Sequence, residues 1–466
     1  MLKQSLSEIE AFLLEEALKL ARKGLMHRLA VDPRADPDVE YKCVRCQGRL
    51  RIQAKSQNRS LPTMLGEVEY QRPYGTCDRC GISYAPLDCG LGIPPTGGSV
   101  ARRELICHAA GTANAFMGAA ENVLKKHSHI EISDQQTRRI SEGEGKRLVA
   151  ERLREVEAFR NGKPIAGPEK APDLIVVAAD GGRVRTRQPE EPQKEGKTPG
   201  AQEKNKKRGA WKEDLVGCVY DASPQKDPNA GEAGKYEGAK AGIKTFVATL
   251  ADYKEFGYML CVEALKRGYA KAKTKLFLSD GDLKLRTLRE EHFADAIFIL
   301  DWHHVAGHLS ACAKAAFGEG TEEYVRWYRR MISKLWAGDV DAVIKTIKKE
   351  STRVGKPEPK EHEGSARVIL HRAIGYLEDN SKACDYPRFR AEGWPIGSGV
   401  VESSVNQFGL RVKGPGKFWN GFDHGLGADD MLALLSLLRS EDGRWDDYWR
   451  RRSQPYTREP RKKEEL

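Results

Sequence analysis

Five short apolar runs constrain the fold of this chain more than any other feature. They lie at residues 173–179, 215–220, 245–250, 274–279 and 296–300. Runs of this length and composition are typical of strands buried in a sheet. Polar loops join the first three, and a predicted helix at 252–268 follows the third. This order predicts an α/β domain that begins as a meander and continues with strands that alternate with helices.

Three acidic residues stand out by their positions relative to these runs. Asp180 ends the first predicted strand, Asp280 ends the string LFLSDGD, and Glu402 follows WPIGSGVV at the start of a predicted helix. Metal-dependent cleavage of a phosphodiester needs carboxylates that converge from distant parts of the sequence, because Mg²⁺ prefers oxygen ligands. An aspartate after a strand is also a common turn former or helix N-cap. No single one of these residues therefore decides between a catalytic and a structural role.

The stretch between residues 303 and 380 has a fully helical pattern. Its predicted helices cover residues 303–317, 321–336, 338–351 and 364–380. Trp327, Tyr328 and Trp336 recur at roughly helical spacing within them. Packing in the core of this helical block explains these aromatics better than stacking on nucleic-acid bases.

Two C-x-x-C pairs, Cys43/Cys46 and Cys77/Cys80, predict a zinc site. Each pair places two thiolates on a tight turn, and four such ligands complete a tetrahedral structural site. The 30 residues between the pairs have a β-type pattern that suits the hairpin of a zinc ribbon. Two coincidental pairs or a redox motif are the alternatives. Cys89 lies close by and is predicted to pack in the core.

A helix-turn-helix-like pattern precedes the α/β region. One helix is predicted at 116–126 and a turn at 127–132, and Ser133 is a suitable N-cap for a second helix. That second helix would present four side chains able to contact base edges or phosphates, Gln135, Gln136, Arg138 and Arg139. Helix pairs of this kind are also common without any role in DNA recognition.

The overall charge and the cysteine distribution narrow the class of protein further. A formal net charge of +11 favours a polyanionic partner, nucleic acid first. No segment reaches the roughly 20 apolar residues that cross a bilayer. Residues 1–30 are predicted to form an amphipathic helix rather than a signal peptide. Six of the ten cysteines lie outside the two pairs, singly among apolar neighbours, which indicates a reducing cytoplasm rather than a disulfide scaffold.

Several strings of sequence, in one order along the chain, are similar to a known family. They are LGEVEYQRPYGTCDRCG, PLDCGLGIPP, VAADGG, LSDGD, LDWHHV, IGSGVVES and GPGKFWNGFDHGLGADDMLALLSLLRS. In order and spacing they resemble bacterial insertion-sequence transposases of the Kra group (the IS-Kra-four family), which are relatives of the Mutator-like DDE transposases. The resemblance covers nearly the whole chain.

The resemblance implies a DNA transposase with a ribonuclease-H-like catalytic core, which a helical insertion interrupts before the glutamate. Asp180, Asp280 and Glu402 would then be the catalytic triad and would hold Mg²⁺ or Mn²⁺. The expected reaction is hydrolysis at the element ends, followed by attack of the 3′-hydroxyls on target DNA. The implied partners are double-stranded DNA, as terminal inverted repeats and target, and further copies of the chain in a dimer or larger assembly. The expected location is the bacterial cytoplasm, at the nucleoid.

Four further residues enter through the same resemblance. Asp301 and His304 match a (Cys/Asp)-x-x-His motif, in which the histidine positions a phosphate or the pair braces the site. The alternative is a histidine that caps or packs the first insertion helix. Lys413 and Lys417, in RVKGPGKFW, are predicted phosphate contacts.

The second catalytic aspartate is either Asp280 or Asp301, because both follow predicted strands. In the sheet that the resemblance implies, the first strand lies beside the fourth and the fifth lies one strand further out. Neighbouring strands are about 4.8 Å apart, so an aspartate after the fourth strand can share a metal site with Asp180. Asp301 would begin about two strand spacings away. We therefore predict that Asp280 is the second catalytic residue and that Asp301 supports the reaction.

These predictions describe a multidomain α+β protein: a zinc-ribbon-like module and a helical DNA-binding region precede the ribonuclease-H-like α/β core with its all-helical insertion. The predicted divisions are an N-terminal helix 1–39, zinc module 40–97, DNA-binding region 98–170, catalytic core 171–302 and 396–445, insertion 303–395 and charged tail 446–466. Residues 188–210 and 223–240 are predicted to be mobile loops. Two alternative functions are a zinc-ribbon DNA-binding regulator, including a domesticated inactive transposase, and a hydrolytic nuclease of the same fold.

Overall fold

The computed structural model describes residues 5–187, 209–226, 236, 238–397, 399–414, 417, 419 and 427–455. The side chains of residues 187, 209, 210, 401, 402 and 404 lie outside this set. Internal contacts divide the chain into two compact units, Met1–Glu144 with Gly443–Leu466, and Gly145–Asp442. The protein is therefore multidomain α+β, as predicted. Most of the predicted loops fall on residues 188–208 and 227–235, outside the described part.

The first unit contains a small antiparallel sheet of four strands in sequential order. The strands are β1 (Tyr41–Lys42), β2 (Arg49–Thr63), β3 (Gly66–Cys77) and β4 (Ser83–Tyr84). Strands β2 and β3 form the hairpin predicted between the cysteine pairs. Helix α1 (Leu6–Ala30) begins with a capping box between Ser5 and Glu8. Its C-terminal part packs on the sheet through Leu25 and Leu29.

Helices follow the sheet in the first unit. They are α2 (Pro86–Gly90), α3 (Val100–Thr112), α4 (Phe116–Gly118), a π-helical segment (Ala119–Lys125), α5 (Lys126–Ser128) and the start of α6 (Asp134–Arg160). Helix α6 belongs to the second unit from Gly145 onward. The predicted helix at 116–126 is present but contains the π-helical segment. The predicted cap is confirmed, because the Ser133 hydroxyl accepts a hydrogen bond from the Gln136 amide at 3.1 Å. His129 has a φ of 51°, which ends the first helix and opens the turn.

The predicted charged tail at 446–466 begins inside a helix, α16 (Arg444–Arg452). Its aromatic residues recur at helical spacing, and Tyr448 and Trp449 are buried. The Tyr448 hydroxyl donates to the buried Glu144 carboxylate at 2.8 Å. Burial of one aromatic face thus outweighs the high local charge. Residues 456–466 lie outside the described part.

The second unit is built on a mixed five-stranded sheet in the order β7-β6-β5-β8-β9. The strands are β5 (Leu174–Arg187), β6 (Gly209–Ser223), β7 (Lys240–Thr249), β8 (Thr274–Ser279) and β9 (Ile297–Leu300). Strands β5 to β7 form the predicted antiparallel meander, and β8 and β9 are parallel to β5. All five predicted strands are confirmed. The first extends eight residues past its predicted end, because its pairing with β6 continues to Arg187.

The helices of the second unit cover the sheet and form the block between β9 and α14. They are α7 (Tyr253–Lys266), α8 (Leu283–His292), α9 (Trp302–Phe317), α10 (Glu322–Trp336), α11 (Val340–Val354), α12 (Ala366–Asn380), α13 (Tyr386–Ala391), α14 (Gly399–Val412) and α15 (Gly427–Arg439). The predicted packing role of Trp327 and Trp336 is confirmed, because both are buried. Among the described residues, no helix combines the length and apolarity needed to cross a membrane.

The edge strand β7 is covered by side chains of α15 and of Ser440, the residue that follows it. The Ser436 hydroxyl accepts from the Ala248 amide at 3.0 Å, and the Ser440 hydroxyl accepts from the Phe246 amide at 3.1 Å. The Asp429 carboxylate accepts from the Leu250 amide at 2.8 Å. These bonds satisfy amides that an open sheet edge would expose. They also connect the segment after α14 to the sheet.

Candidate metal centre and active site

The four predicted cysteines form one cluster in the first unit. The ligand atoms of Cys43, Cys46, Cys77 and Cys80 all lie within 4.8 Å of one another. The Sγ atoms of Cys43 and Cys80 are 3.6 Å apart, and those of Cys46 and Cys77 are 3.4 Å apart. Zn–S bonds of about 2.3 Å in a tetrahedron place the sulfurs about 3.8 Å apart. The geometry is therefore consistent with a structural zinc site.

The two cysteine turns share one backbone design. The Gln47 amide donates to the Cys43 carbonyl at 2.9 Å, and the Gly81 amide donates to the Cys77 carbonyl at 3.0 Å. Both Gln47 and Gly81 have positive φ, which lets the chain reverse beneath the sulfurs. A hydrogen bond from the Cys80 amide lowers the pKa of Cys77 to about 6. Backbone N–H groups aimed at sulfur favour the thiolate that a zinc ion requires.

The structure also describes the six cysteines outside this cluster. All ten are described by the structure, and none takes part in a disulfide. Cys89 is buried beside the four ligands but is not one of them, which confirms its predicted packing role.

In the second unit, the sheet brings Asp180 and Asp280 to the same level. Parallel pairing aligns Ala178 with Leu278, so residues 180 and 280 continue that register on neighbouring strands. Asp180 lies inside β5 rather than at its end, which corrects the prediction. Strand β8 stops at Ser279, however, so the side of Asp180 that faces β8 is left without a strand partner. The two predicted carboxylates thus meet where the β5–β8 pairing ends.

Both carboxylates are half-buried, and the pKa of each is raised. Burial raises the pKa of Asp180, and the nearby carboxylate of Asp280 adds to that rise. Burial likewise raises the pKa of Asp280, with contributions from Asp282 and Asp301. Each accepts a local hydrogen bond, Asp180 from the Gly181 amide and Asp280 from the Asp282 amide. Partly desolvated carboxylates with mutual repulsion are suited to binding a divalent cation.

Asp301 lies one strand further out and has a clear structural role. It is fully buried, and its carboxylate caps α9 by accepting from the His304 amide at 2.8 Å. His304 lies close enough to lower the pKa values of both Asp180 and Asp280. The predicted Asp301–His304 pair is therefore connected through the helix cap, and it points the first turn of α9 at the carboxylates.

A cavity of about 460 Å³ adjoins this turn of α9. It is lined by His303, His304, Gly307, His308 and Ala311. The His308 ring stacks on Tyr376 with ring centroids 4.2 Å apart, and the Tyr376 hydroxyl donates to the Asp280 carbonyl at 2.7 Å. The helical block thereby supports the backbone of Asp280.

The third predicted catalytic residue, Glu402, lies in the first turn of α14, and its side chain is outside the described part. Helix α14 packs against β5 and β6. Among the described residues, the cysteine cluster is the only group of three or more ligating side chains close enough to share an ion. The structure therefore brings together two of the three predicted catalytic side chains.

The predicted phosphate contacts differ in their surroundings. The Lys413 ammonium lies 3.2 Å from the carboxylate of Asp214, which is fully buried on β6. The Lys417 ammonium donates to the carbonyls of Leu410 and Arg411 and so caps the end of α14. Sequence reasoning missed Asp214, because the apolar run that marks this strand begins one residue later.

The predicted DNA-recognition helix presents most of the expected side chains to solvent. Gln135, Gln136 and Arg139, in the first turns of α6, are exposed. Arg138 is half-buried and forms an ion pair with Glu142 at 2.7 Å. Three of the four side chains are therefore accessible to a ligand.

Comparison of the chain with protein-family models and with curated protein sequences found no match. The interpretation of both sites therefore rests on their own residues and geometry.

Proposed function

We propose that this protein is a DNA transposase that cleaves element ends and joins them to target DNA with a DDE-type carboxylate triad. The observation that carries the proposal is the pair Asp180 and Asp280, which lie at one level where the pairing of the parallel strands β5 and β8 ends. The strand order β7-β6-β5-β8-β9, with an antiparallel meander and then two parallel strands, is the order expected for a ribonuclease-H-like core. The helical block between β9 and α14 lies where the expected insertion belongs.

The donor set at this site fits a hard divalent cation. Asp180 and Asp280 supply carboxylate oxygens, and among the described residues neither is neutralised by a salt bridge within 4 Å. Mg²⁺ or Mn²⁺ would be held by these two residues, and we assign Glu402 as the third ligand. When bound, such ions activate the attacking oxygen and stabilise the leaving oxygen of an in-line displacement.

The chain's own residues orient the phosphodiester rather than attack it. Neither cleavage of the element end nor its joining to target DNA needs a protein nucleophile, so positioning and charge account for the catalysis. The Lys413 ammonium lies on the face of β5 that carries Asp180 and would contact a phosphate oxygen. His304 would contact the same phosphate or an adjacent one from α9.

The first unit would recognise DNA and hold its own fold with zinc. The exposed Gln136 and Arg139 side chains and the net charge of +11 support contact with a duplex. The closed set of four thiolates supports a structural rather than a catalytic zinc. We expect two copies or more to act together, because two element ends must be joined.

The test uses purified protein, Mg²⁺ and a labelled duplex that carries the DNA flanking the gene. Transposase activity predicts cleavage at a fixed position and then covalent joining of the liberated 3′ end to a second duplex. Asp180→Asn should abolish both products while leaving duplex binding intact. Cleavage without joined products would instead identify a hydrolytic nuclease. Binding without any cleavage that depends on Asp180 would identify a regulator.

A further inference from the structure

The buried carboxylate of Asp214 has no role in the chemistry described so far. It is fully buried in β6, and burial raises its pKa. Within the described residues, neither of its oxygens has a hydrogen bond of ordinary geometry, so the Lys413 ammonium at 3.2 Å supplies its compensating charge. Burying the Asp214 carboxylate costs more than burying an apolar side chain of similar size, and the Lys413 side chain that compensates it is only partly buried. A costly pair beside a candidate active site indicates a functional reason for keeping it.

Gly182 makes room for this pair. It faces Asp214 directly across the β5–β6 ladder. A Cβ at residue 182 would collide with the Lys413 ammonium and would lie 2.8 Å from Asp214 Oδ1. The ammonium therefore lies over the backbone of β5, in space that any other residue would fill.

This position places the ammonium on the catalytic face of β5. Residues 180 and 182 point to the same face of the strand, about 7 Å apart. Gly409 contacts both the backbone and the side chain of this lysine. The Lys413 amide donates to the Gly409 carbonyl at 2.7 Å, and the Lys413 Cδ lies against Gly409.

We infer that Asp214 is a positioning residue, which holds the Lys413 ammonium over Gly182 so that it faces the phosphate bound at Asp180. This assignment rests on the proposed function for the identity of the substrate. A free lysine side chain loses rotamer entropy when it is fixed. Asp214 fixes it before the substrate binds, and a preorganised cation acts most strongly on charge that develops during the reaction.

The experiment is a double-mutant cycle on single-turnover cleavage of the flanking-DNA duplex, with Asp214→Asn, Lys413→Met and the double variant. Removing one preorganised charge-stabilising group costs about 100-fold or more in rate. We expect such a loss for Lys413→Met, a loss of at least about 10-fold for Asp214→Asn, and no further loss in the double variant. Affinity of Asp214→Asn for the duplex should stay close to that of the wild type. Independent losses that multiply in the double variant would overturn the inference.

A matched control is available on the same strand. Asp221 is also on β6 and forms an ion pair with Arg267 at 3.0 Å, but it pairs with Ile175 at the far end of the ladder from Gly182. Asp221→Asn should leave the cleavage rate unchanged. Gly182→Ala should reproduce the loss seen with Asp214→Asn, without removing any charge.

A second readout does not depend on activity. In Asp214→Asn the Lys413 ammonium should be released. An amine-reactive reagent should then modify Lys413 several-fold faster, as measured by peptide mass spectrometry. Unchanged modification, or wild-type cleavage by Asp214→Asn while Asp180→Asn is inactive, would overturn the inference alone. If Asp180→Asn also cleaves normally, the proposed function fails instead.

Discussion

At the scale of single residues, the site combines groups that would repel one another without a cation. Asp180 and Asp280 are half-buried, and burial raises the pKa of each. A protonated carboxylate is a poor metal ligand, so the ionised form must be recovered by bound cation, by Lys413 and by His304. Under the proposed function, the same residues would therefore determine both metal binding and its dependence on pH.

Cleavage should fall on acidification at a higher pH than ordinary aspartates would allow. A raised pKa means that each carboxylate takes up its proton earlier as the pH falls, and a proton displaces the metal. The rate of single-turnover cleavage should therefore begin to decline above pH 4, which is about the usual pKa of a free aspartate. The measurement is the rate against pH at fixed Mg²⁺, with duplex binding followed in parallel. A rate that stays level down to pH 4 would contradict the raised pKa values of Asp180 and Asp280.

Sequence reasoning located Asp180 and Asp280 because each follows an apolar run that marks a strand. It did not find Asp214, since one acidic residue inside an exposed-looking string WKED carries no signal of burial. Only the long β5–β6 pairing, which continues past Gly181 and Gly182, places Asp214 opposite a glycine and under Lys413. Tertiary pairing of this kind is not written in local periodicity.

At the scale of elements, caps and turns account for much of the geometry. Asp301 was predicted to support the reaction, and the structure gives it a position as the N-cap of α9. Ser133 was predicted as a cap and is one. Both were predictable, because capping depends on one short polar side chain at a helix start. The π-helical segment before Ser133 was not, since nothing in its composition differs from an α-helix.

Substitution of Asp301 should separate capping from catalysis. Asparagine caps a helix about as well as aspartate, whereas alanine costs about 1 kcal/mol. Asp301→Ala should therefore lower the free energy of unfolding of the second unit by about that amount, and Asp301→Asn by much less. Urea unfolding of the two variants measures the difference. Equal destabilisation by both would show that the charge, not the cap, stabilises this position.

The cluster of four cysteines predicts the zinc content of the protein independently of the carboxylate site. The purified protein should contain about one zinc per chain, bound through the four cysteines. Cys77→Ser should lose the metal and destabilise the first unit, while the second unit keeps its unfolding transition. Cys89→Ser is the matched control, because Cys89 is buried in the same cluster and is not a ligand. Elemental analysis checks both variants, and absence of zinc from wild-type protein purified without chelator would contradict the site.

At the scale of the whole molecule, the order of short apolar runs and helical patterns along the sequence was enough to predict a multidomain α+β chain. It also predicted all five strands of the larger sheet. The predicted charged tail at 446–466 overlaps helix α16, which buries an aromatic face although its sequence is highly charged. Local charge density predicts exposure only when no apolar stripe accompanies it.

DNA binding should depend strongly on salt and on the start of α6. With a net charge of +11, log affinity should fall linearly as log salt concentration rises. Gln136→Ala and Arg139→Ala should weaken the preference for the flanking DNA over unrelated duplex. Arg154→Ala, exposed later on the same helix, should not change that preference. Filter binding or fluorescence anisotropy at several salt concentrations measures both effects, and an unchanged preference in the first two variants would contradict this role of α6.

The most direct test of the central claim compares Asp280→Asn with Asp301→Asn at saturating Mg²⁺. Asp280 shares a level with Asp180 on the neighbouring strand, whereas Asp301 lies one strand further out and caps α9. Both variants should bind the flanking duplex like the wild type. Asp280→Asn should give no cleaved or joined product, and Asp301→Asn should give reduced but measurable amounts of both. An inactive Asp301→Asn beside an active Asp280→Asn would contradict the account and would make Asp180, Asp301 and Glu402 the triad.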